Sequence, residues 1–477
     1  MRAKSATFEG NPMRPIVLTV LTALALCAQA NAQLAPESTR AVGDIVRRVL
    51  QVSGVPSASI AIAKDGNVAL AEAYGLARVS PAVAATPAVR YKIGSISKQF
   101  TVSALLLLQE ERKLSLEDRV AKYFPDLTRA GEITLRQILS HTSGYQDYYP
   151  LDYVAPFMRR DVEPTDILSG WAKIPLDFEP GTQWQYSNTN FVIAGLIAAK
   201  AAGMPLSRFL QLRILSPLGM HSAIDVEERP LDPGDAHGYE FYALGPPREA
   251  KPEGRGWVYA TGELAMTARD LAVWDISLMN GSLLKPESMR ELTTEQLLKG
   301  GTGTRYALGL SVEALSGGHR RWSHSGASEG FLCWNAVYPD DRISITVLTN
   351  STRREPMNEI ARKIEDLLLA KATDPGAEDA LEKAKRLMSS LASGKPDLQL
   401  MSPDLRAYFT SRAVEDFKVS LQRIGSLDGV VQVNHFDRGG MVFRAFRATG
   451  GGKVLNISAF MLPDGRFSQF LIGPVPE

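Results

Sequence analysis

The sequence predicts an α+β fold: an antiparallel sheet flanked by helices, with a helical lobe inserted into it, then a small C-terminal α+β domain. Three observations lead there. Two apolar runs near the start, Ser57–Ala63 and Val68–Tyr74, are joined by Lys64-Asp65-Gly66-Asn67, and Asp-Gly between strands signals a hairpin. From about residue 96 to 300 the apolar spacing is helical. After Gly303 it returns to strands, so both ends of this domain can share one antiparallel sheet.

The elements follow in order. Arg14, an apolar run from Ile16 to Ala28, and Ala30-Asn31-Ala32 before Gln33 make residues 1–32 a secretory signal pattern. The run is too short for a spanning helix, which needs about 20 apolar residues; an uncleaved anchor is the alternative. Cleavage after Ala32 removes Cys27 and leaves Cys333 without a disulfide partner. Arg40–Leu50 places Ala41, Ile45 and Val49 at helical spacing. After the hairpin come helices Gln99–Glu111, Leu135–Leu139, Asn190–Ala202, Leu206–Leu215 and Ala268–Asn280. Strands Tyr306–Glu313, Arg320–His324, Leu332–Tyr338 and Ile343–Thr349 follow, the last two joined by Pro339-Asp340-Asp341-Arg342. Helix Glu355–Ala370 completes a domain over 36–372. Residues 373–400 read as a linker carrying a charged amphipathic helix, Glu378–Leu391. The small domain, 401–477, opens with Ser402 as N-cap before Pro403. It holds helices Pro403–Phe409 and Ala413–Ile424, then strands Val430–Phe436, Met441–Ala448, Val454–Met461 and Phe467–Ile472.

Composition narrows the function. With 45% hydrophobic residues in 477, the chain is not disordered, and a net charge of +1 argues against a nucleic-acid partner. Two cysteines cannot form a Cys-based zinc site, and His221, His237 and His319 lack metal-ligand spacing. No metal or cofactor is expected. No stretch after the signal could span a membrane, so the mature protein is expected to be secreted or periplasmic.

Three short motifs carry chemistry. Gly94-Ser95-Ile96-Ser97-Lys98 is Ser-x-x-Lys at the start of an apolar helix. One turn brings residues i and i+3 to one face, so Lys98 can take the Ser95 proton if burial favours its neutral form. Alone, this also fits an ordinary helix start with a solvated lysine. Tyr186-Ser187-Asn188 precedes the helix from Asn190. A tyrosine beside a lysine can have its pKa lowered and shuttle a proton, and Asn188 can donate to a substrate carbonyl. A packed tyrosine and a capping asparagine are the plainer reading. The third is Trp322-Ser323-His324-Ser325-Gly326-Ala327 at the end of a strand. A competing motif, Gly326-Ala327-Ser328-Glu329-Gly330, matches the Gly-x-Ser-x-Gly elbow of α/β-hydrolases. That elbow needs strand, turn, helix, and here a strand-like run follows instead. Trp257 and Tyr259 fit a cleft wall or a core equally.

In this order the three motifs are far more specific than any one. The chain resembles the serine β-lactamase and penicillin-binding protein superfamily. The likeness is to the branch of class C β-lactamases, D-alanyl-D-alanine carboxypeptidases, D-aminopeptidases and related esterases. Tyr91-Lys92-Ile93-Gly94-Ser95, Ile138 through Gly144, Phe178-Glu179-Pro180-Gly181 and Pro217-Leu218-Gly219-Met220 agree with it, over roughly 40–372. The resemblance implies the fold above, Ser95 as acylated nucleophile, and Lys98 and Tyr186 as proton-transfer partners. It implies Asn188, His324 and Gly326 as substrate-binding positions, with the backbone N–H groups of Ser95 and Ala327 as the oxyanion hole. His141, within the second matching stretch, is expected to brace a loop. The implied activity is an exported, metal-independent serine hydrolase of amides or esters. D-amino-acid peptides of the cell wall or small esters are its expected substrates. A slow-acylating penicillin-binding sensor is the alternative. One departure matters: β-lactam-handling members carry lysine where this chain has His324. A histidine with its usual pKa near 6.5 is mostly neutral at pH 7, so weak action on β-lactams is expected. Acidification through that range is expected to favour carboxylate-bearing substrates.

Overall fold

The computed structural model describes residues 33–315, 318–369, 374, 376–425 and 427–474. The expected signal segment and Cys27 lie outside them. The chain divides into two compact units near residue 370.

The first unit is built on a seven-stranded antiparallel sheet. From one edge its order is Val83–Ala84, Asn67–Arg78, Ser57–Lys64, Ile343–Thr349, Phe331–Tyr338, Arg320–Ser328 and Ser311–Ala314. Strands from both ends of the domain therefore pair at the centre, with Ala58 opposite Thr349 and Lys64 opposite Ile343. The Asp65-Gly66 turn has positive φ at both residues, 50° and 80°. That twist suits a tight hairpin.

The central strand explains the layering. Ile60 and Ile62 point to one face, where they pack with Val42, Val46, Ile360 and Ile364. Those residues come from helices Pro36–Ser53 and Arg354–Leu368. Ala61 and Ala63 point to the other face, into the cluster holding Phe100, Leu105, Leu271 and Trp274. Small side chains there let helices Lys98–Glu110 and Ala268–Asn280 lie against the sheet.

Two expectations are corrected. The strand expected over Tyr306–Glu313 is only Ser311–Ala314. Gly309 has φ +70°, and Ala307 N–H donates to Leu310 O, so this stretch is a turn that sends Tyr306 inward. The expected helix Leu206–Leu215 is regular only to Leu210 and widens into a π turn over Gln211–Leu215. Three very short strands also form a small sheet in the order Tyr91–Lys92, Leu264–Met266, Ile224–Asp225. Two or three residues show no readable period.

The second unit packs helices Ala377–Ala392, Pro403–Tyr408 and Ser411–Ile424 with a four-stranded antiparallel meander. Residues 373–400 are thus not a plain linker. Ala380, Ala384, Leu387, Met388 and Leu391 form one apolar stripe, buried with Phe446, Ile457, Phe467 and Phe470. Because each unit has its own core, a chain ending at Lys371 is expected to fold and keep Ser95 reactive toward a fluorophosphonate. Precipitation or complete loss of labelling would show that the second unit is needed by the first.

Candidate active site

The site begins where the sheet edge meets the start of a buried helix. Residues Gly94–Ser97 form a 3-10 turn leading into helix Lys98–Glu110. Two glycines permit a close approach to strand Arg320–Ser328. A Cβ on Gly94 (φ +53°) would lie 2.5 Å from Ala327 O, and one on Gly326 would lie 1.8 Å from Ile93 O. Neither distance is sterically possible, so both positions require glycine. Strand Ser311–Ala314 pairs only with Arg320 to Ser323. The edge from His324 to Ser328 is left for the Ser95 turn, with Ala327 exposed there.

Lys98 is the centre of the site. It is 0% exposed, and its Nζ lies 3.0 Å from Ser95 Oγ. The same nitrogen lies 2.8 Å from Asn188 Oδ1 and 2.8 Å from Thr261 O. Both of these oxygens can only accept. A neutral amine would give them its two protons and turn its lone pair toward the Ser95 hydroxyl. Burial lowers the Lys98 pKa to about 7, against the upward pull of Asp147 and Glu263. A substantial share of Lys98 is therefore free amine near neutrality.

Asn188, the first residue of helix Asn188–Ala202, is held at both ends. Its N–H and side-chain amide donate to Asp147 Oδ1 at 2.9 and 3.1 Å, while Oδ1 accepts from Lys98. The donor expected to meet a substrate carbonyl is thus already engaged, and Asn188 orients Lys98. The Tyr186 ring lies 5.1 Å from Lys98 Nζ, and its buried hydroxyl has no hydrogen-bond partner among the described residues. Burial raises its pKa, with Ser95 pulling the other way. This reverses the expectation of a lowered tyrosine pKa: Tyr186 keeps its proton at neutral pH.

His324 is buried and bonded at both nitrogens. Nδ1 lies 2.6 Å from Ser325 O, which can only accept, so this nitrogen carries the proton. Nε2 then accepts from the Tyr306 hydroxyl at 3.0 Å. Burial, then Lys98, lowers its pKa to about 4. The expectation of a charge appearing near pH 6.5 is corrected: this ring is neutral throughout the range in which Lys98 is a base.

The sequence profile of the Beta-lactamase family matches residues 42–369. The chain belongs to that family. Protein flp of Staphylococcus aureus (strain NCTC 8325 / PS 47) is 29% identical over 331 residues, covering 67% of this chain. The matched region is 64% of that relative's length. A solved D-stereospecific amidohydrolase from Streptomyces sp. is 26% identical with TM-score 0.58, covering 69% of this chain and 98% of that one. The octameric penicillin-binding protein homologue from Pyrococcus abyssi shares the fold at 23% identity and TM-score 0.61, over 92% of this chain and 96% of that one.

Within this member of the Beta-lactamase family the remaining sequence candidates sort by geometry. Ser328 Oγ is buried without a hydrogen-bond partner among the described residues, so no base stands beside it. It also leads into strand Phe331–Tyr338, not a helix. His141 (φ +59°) accepts from Ser187 N–H at 3.2 Å, and its ring lies 4.3 Å from that of Tyr186. It braces the Tyr186 loop. Trp257 is buried, and its Nε1–H donates to Arg160 O at 2.7 Å. No cluster of metal-ligating side chains occurs among the described residues. Asp147, Thr261 and Tyr306 were missed. Thr261 acts through its main chain, Asp147 sits in a loop without period, and Tyr306 was assigned to a strand.

Proposed function

We propose that the protein is an exported serine hydrolase that works through an acyl-enzyme on amide or ester bonds. D-amino-acid peptides of the cell wall or small esters are its substrates, and it acts weakly on β-lactams. The observation that carries this reading is the buried Lys98 nitrogen, 2.8 Å from two oxygens that can only accept and 3.0 Å from Ser95 Oγ, an arrangement that leaves the lone pair of a neutral amine for Ser95. Ser95 Oγ attacks the substrate carbonyl as its proton passes to Lys98. The oxyanion is received by the N–H groups of Ser95 and Ala327 at the open strand edge. Protonated Tyr186 gives a proton to the leaving amine or alkoxide and regains one from Lys98. Water then repeats the sequence on the ester, returning Ser95. The D-stereospecificity named for the Streptomyces relative supports the substrate class. Export to a secreted or periplasmic location rests on residues 1–32.

Weak β-lactam turnover rests on His324. A lysine about 4 Å from a substrate carboxylate would contribute roughly 1 kcal/mol in water and about 4 at an effective dielectric of 20. The neutral, doubly bonded imidazole contributes none of this. A cation appears at His324 only near pH 4, where Lys98 is already protonated. Acidification is therefore expected to stop turnover without favouring carboxylate substrates. The test measures kcat/KM for a nitrophenyl ester and a cephalosporin in wild type and His324→Lys. The ester is expected to be the better wild-type substrate, and lysine should shift the ratio toward the cephalosporin. A faster cephalosporin in wild type, with the ratio unmoved by lysine, would refute this. Stoichiometric acylation without turnover of either substrate would favour the binding-protein alternative.

A further inference from the structure

A buried carboxyl, Glu263, lies two residues beyond the Thr261 carbonyl that receives Lys98, and no motif points to it. The segment Thr261–Leu264 runs beside the start of the nucleophile helix. Thr261 O receives Lys98 Nζ at 2.8 Å, and Leu264 N–H donates to Ser97 Oγ at 3.1 Å. Glu263 stands between these contacts, 1% exposed, and neither carboxyl oxygen has a hydrogen-bond partner among the described residues. A bare carboxylate is strongly disfavoured in such a place unless a cation or a proton compensates it.

Lys98 of the nucleophile helix, and Asp225 and Glu227 of the neighbouring segment, act on Glu263 electrostatically. There Asp225 pairs with Leu264, and Val226 N–H donates to Glu263 O at 2.8 Å. Tyr259 faces it from its own stretch of chain. Burial, then Asp225, holds the Glu263 carboxyl well above the usual range, while Lys98 draws it down. Asp225 is itself raised to about 7, chiefly by burial. On the other side, Asp147 and Glu263 are the two anions that draw Lys98 upward.

We propose that Glu263 is a positioning residue for the reaction: the charge on its buried, unpartnered carboxyl, two residues beyond the carbonyl that receives Lys98, sets how much of Lys98 is free base. With Glu263 neutral, the Lys98 lone pair is open to Ser95. With Glu263 charged, protonated Lys98 is favoured and the base is lost. This rests on Lys98 being the base, as proposed above.

The test is the pH dependence of kcat/KM for p-nitrophenyl acetate in the full chain. Glu263→Gln fixes the neutral form, so the acidic limb is expected to move down by about one pH unit, a roughly tenfold gain at its foot. Asp225→Asn removes the group that opposes a negative Glu263, so the limb is expected to move up. The double variant is expected to follow Glu263→Gln. Both single variants leaving the limb in place, or moving it the same way, would overturn the proposal. If Glu263→Gln does not fold, an unmoved limb in Asp225→Asn overturns it alone. A limb that survives in the residual Ser95 labelling of Lys98→Ala overturns the base assignment and this proposal with it. A limb lost there but unmoved in the acidic variants overturns only the role of Glu263.

Discussion

Ser95→Ala is expected to abolish covalent labelling by a fluorophosphonate and all turnover of amide and ester substrates. Ser95 is the hydroxyl with a buried amine 3.0 Å away. Ser328→Ala should leave most labelling intact, since the Ser328 hydroxyl has no base beside it. Mass mapping of the labelled peptide decides between them. A label found on Ser328, surviving Ser95→Ala, would put the chemistry in the hairpin at Gly326–Gly330.

Tyr186→Phe keeps the ring against His141 and removes only the hydroxyl. A lost proton relay should lower kcat by about 10²–10⁴. KM should change little, because the missing interaction belongs to the transition state. An unchanged kcat would leave Tyr186 as a packing residue. Lys98→Ala should be at least as damaging, since it removes the base and leaves Asn188 Oδ1 and Thr261 O without their donor.

The sequence carried the parts of the molecule that repeat with a regular period. The Asp65-Gly66 hairpin, the buried strand Ile343–Thr349 and helix Ala268–Asn280 are long enough to show alternation or helical spacing. The Ser95–Lys98 pair was legible because one helical turn fixes its geometry. What escaped depends on tertiary contact. Nothing near Asp147 in the chain says that it caps Asn188 41 residues away. Nothing near Tyr306 says that its hydroxyl meets a histidine ring. The Tyr186 pKa was misjudged for a related reason: nearness to lysine favours ionisation, but burial around the hydroxyl outweighs it. Helix Ala377–Ala392 was legible as amphipathic, but what its apolar stripe packs against depends on the sheet it covers.

The pairing at the centre of the sheet has a consequence for how the hydrolase comes into being. Ser57 N–H is held by the Asn350 side chain, 293 positions along the chain. The strand that confronts the Ser95 turn lies almost as far from it in sequence. Closing so long a loop carries an entropic cost before any contact offsets it, and folds dominated by such contacts form slowly. A ribosome-bound chain that has emerged only through its helical lobe holds the Ser-x-x-Lys turn but not the strand edge it works against. It is not yet an enzyme. Activity therefore appears late, as the C-terminal strands dock, and its regain during refolding would time the completion of the sheet.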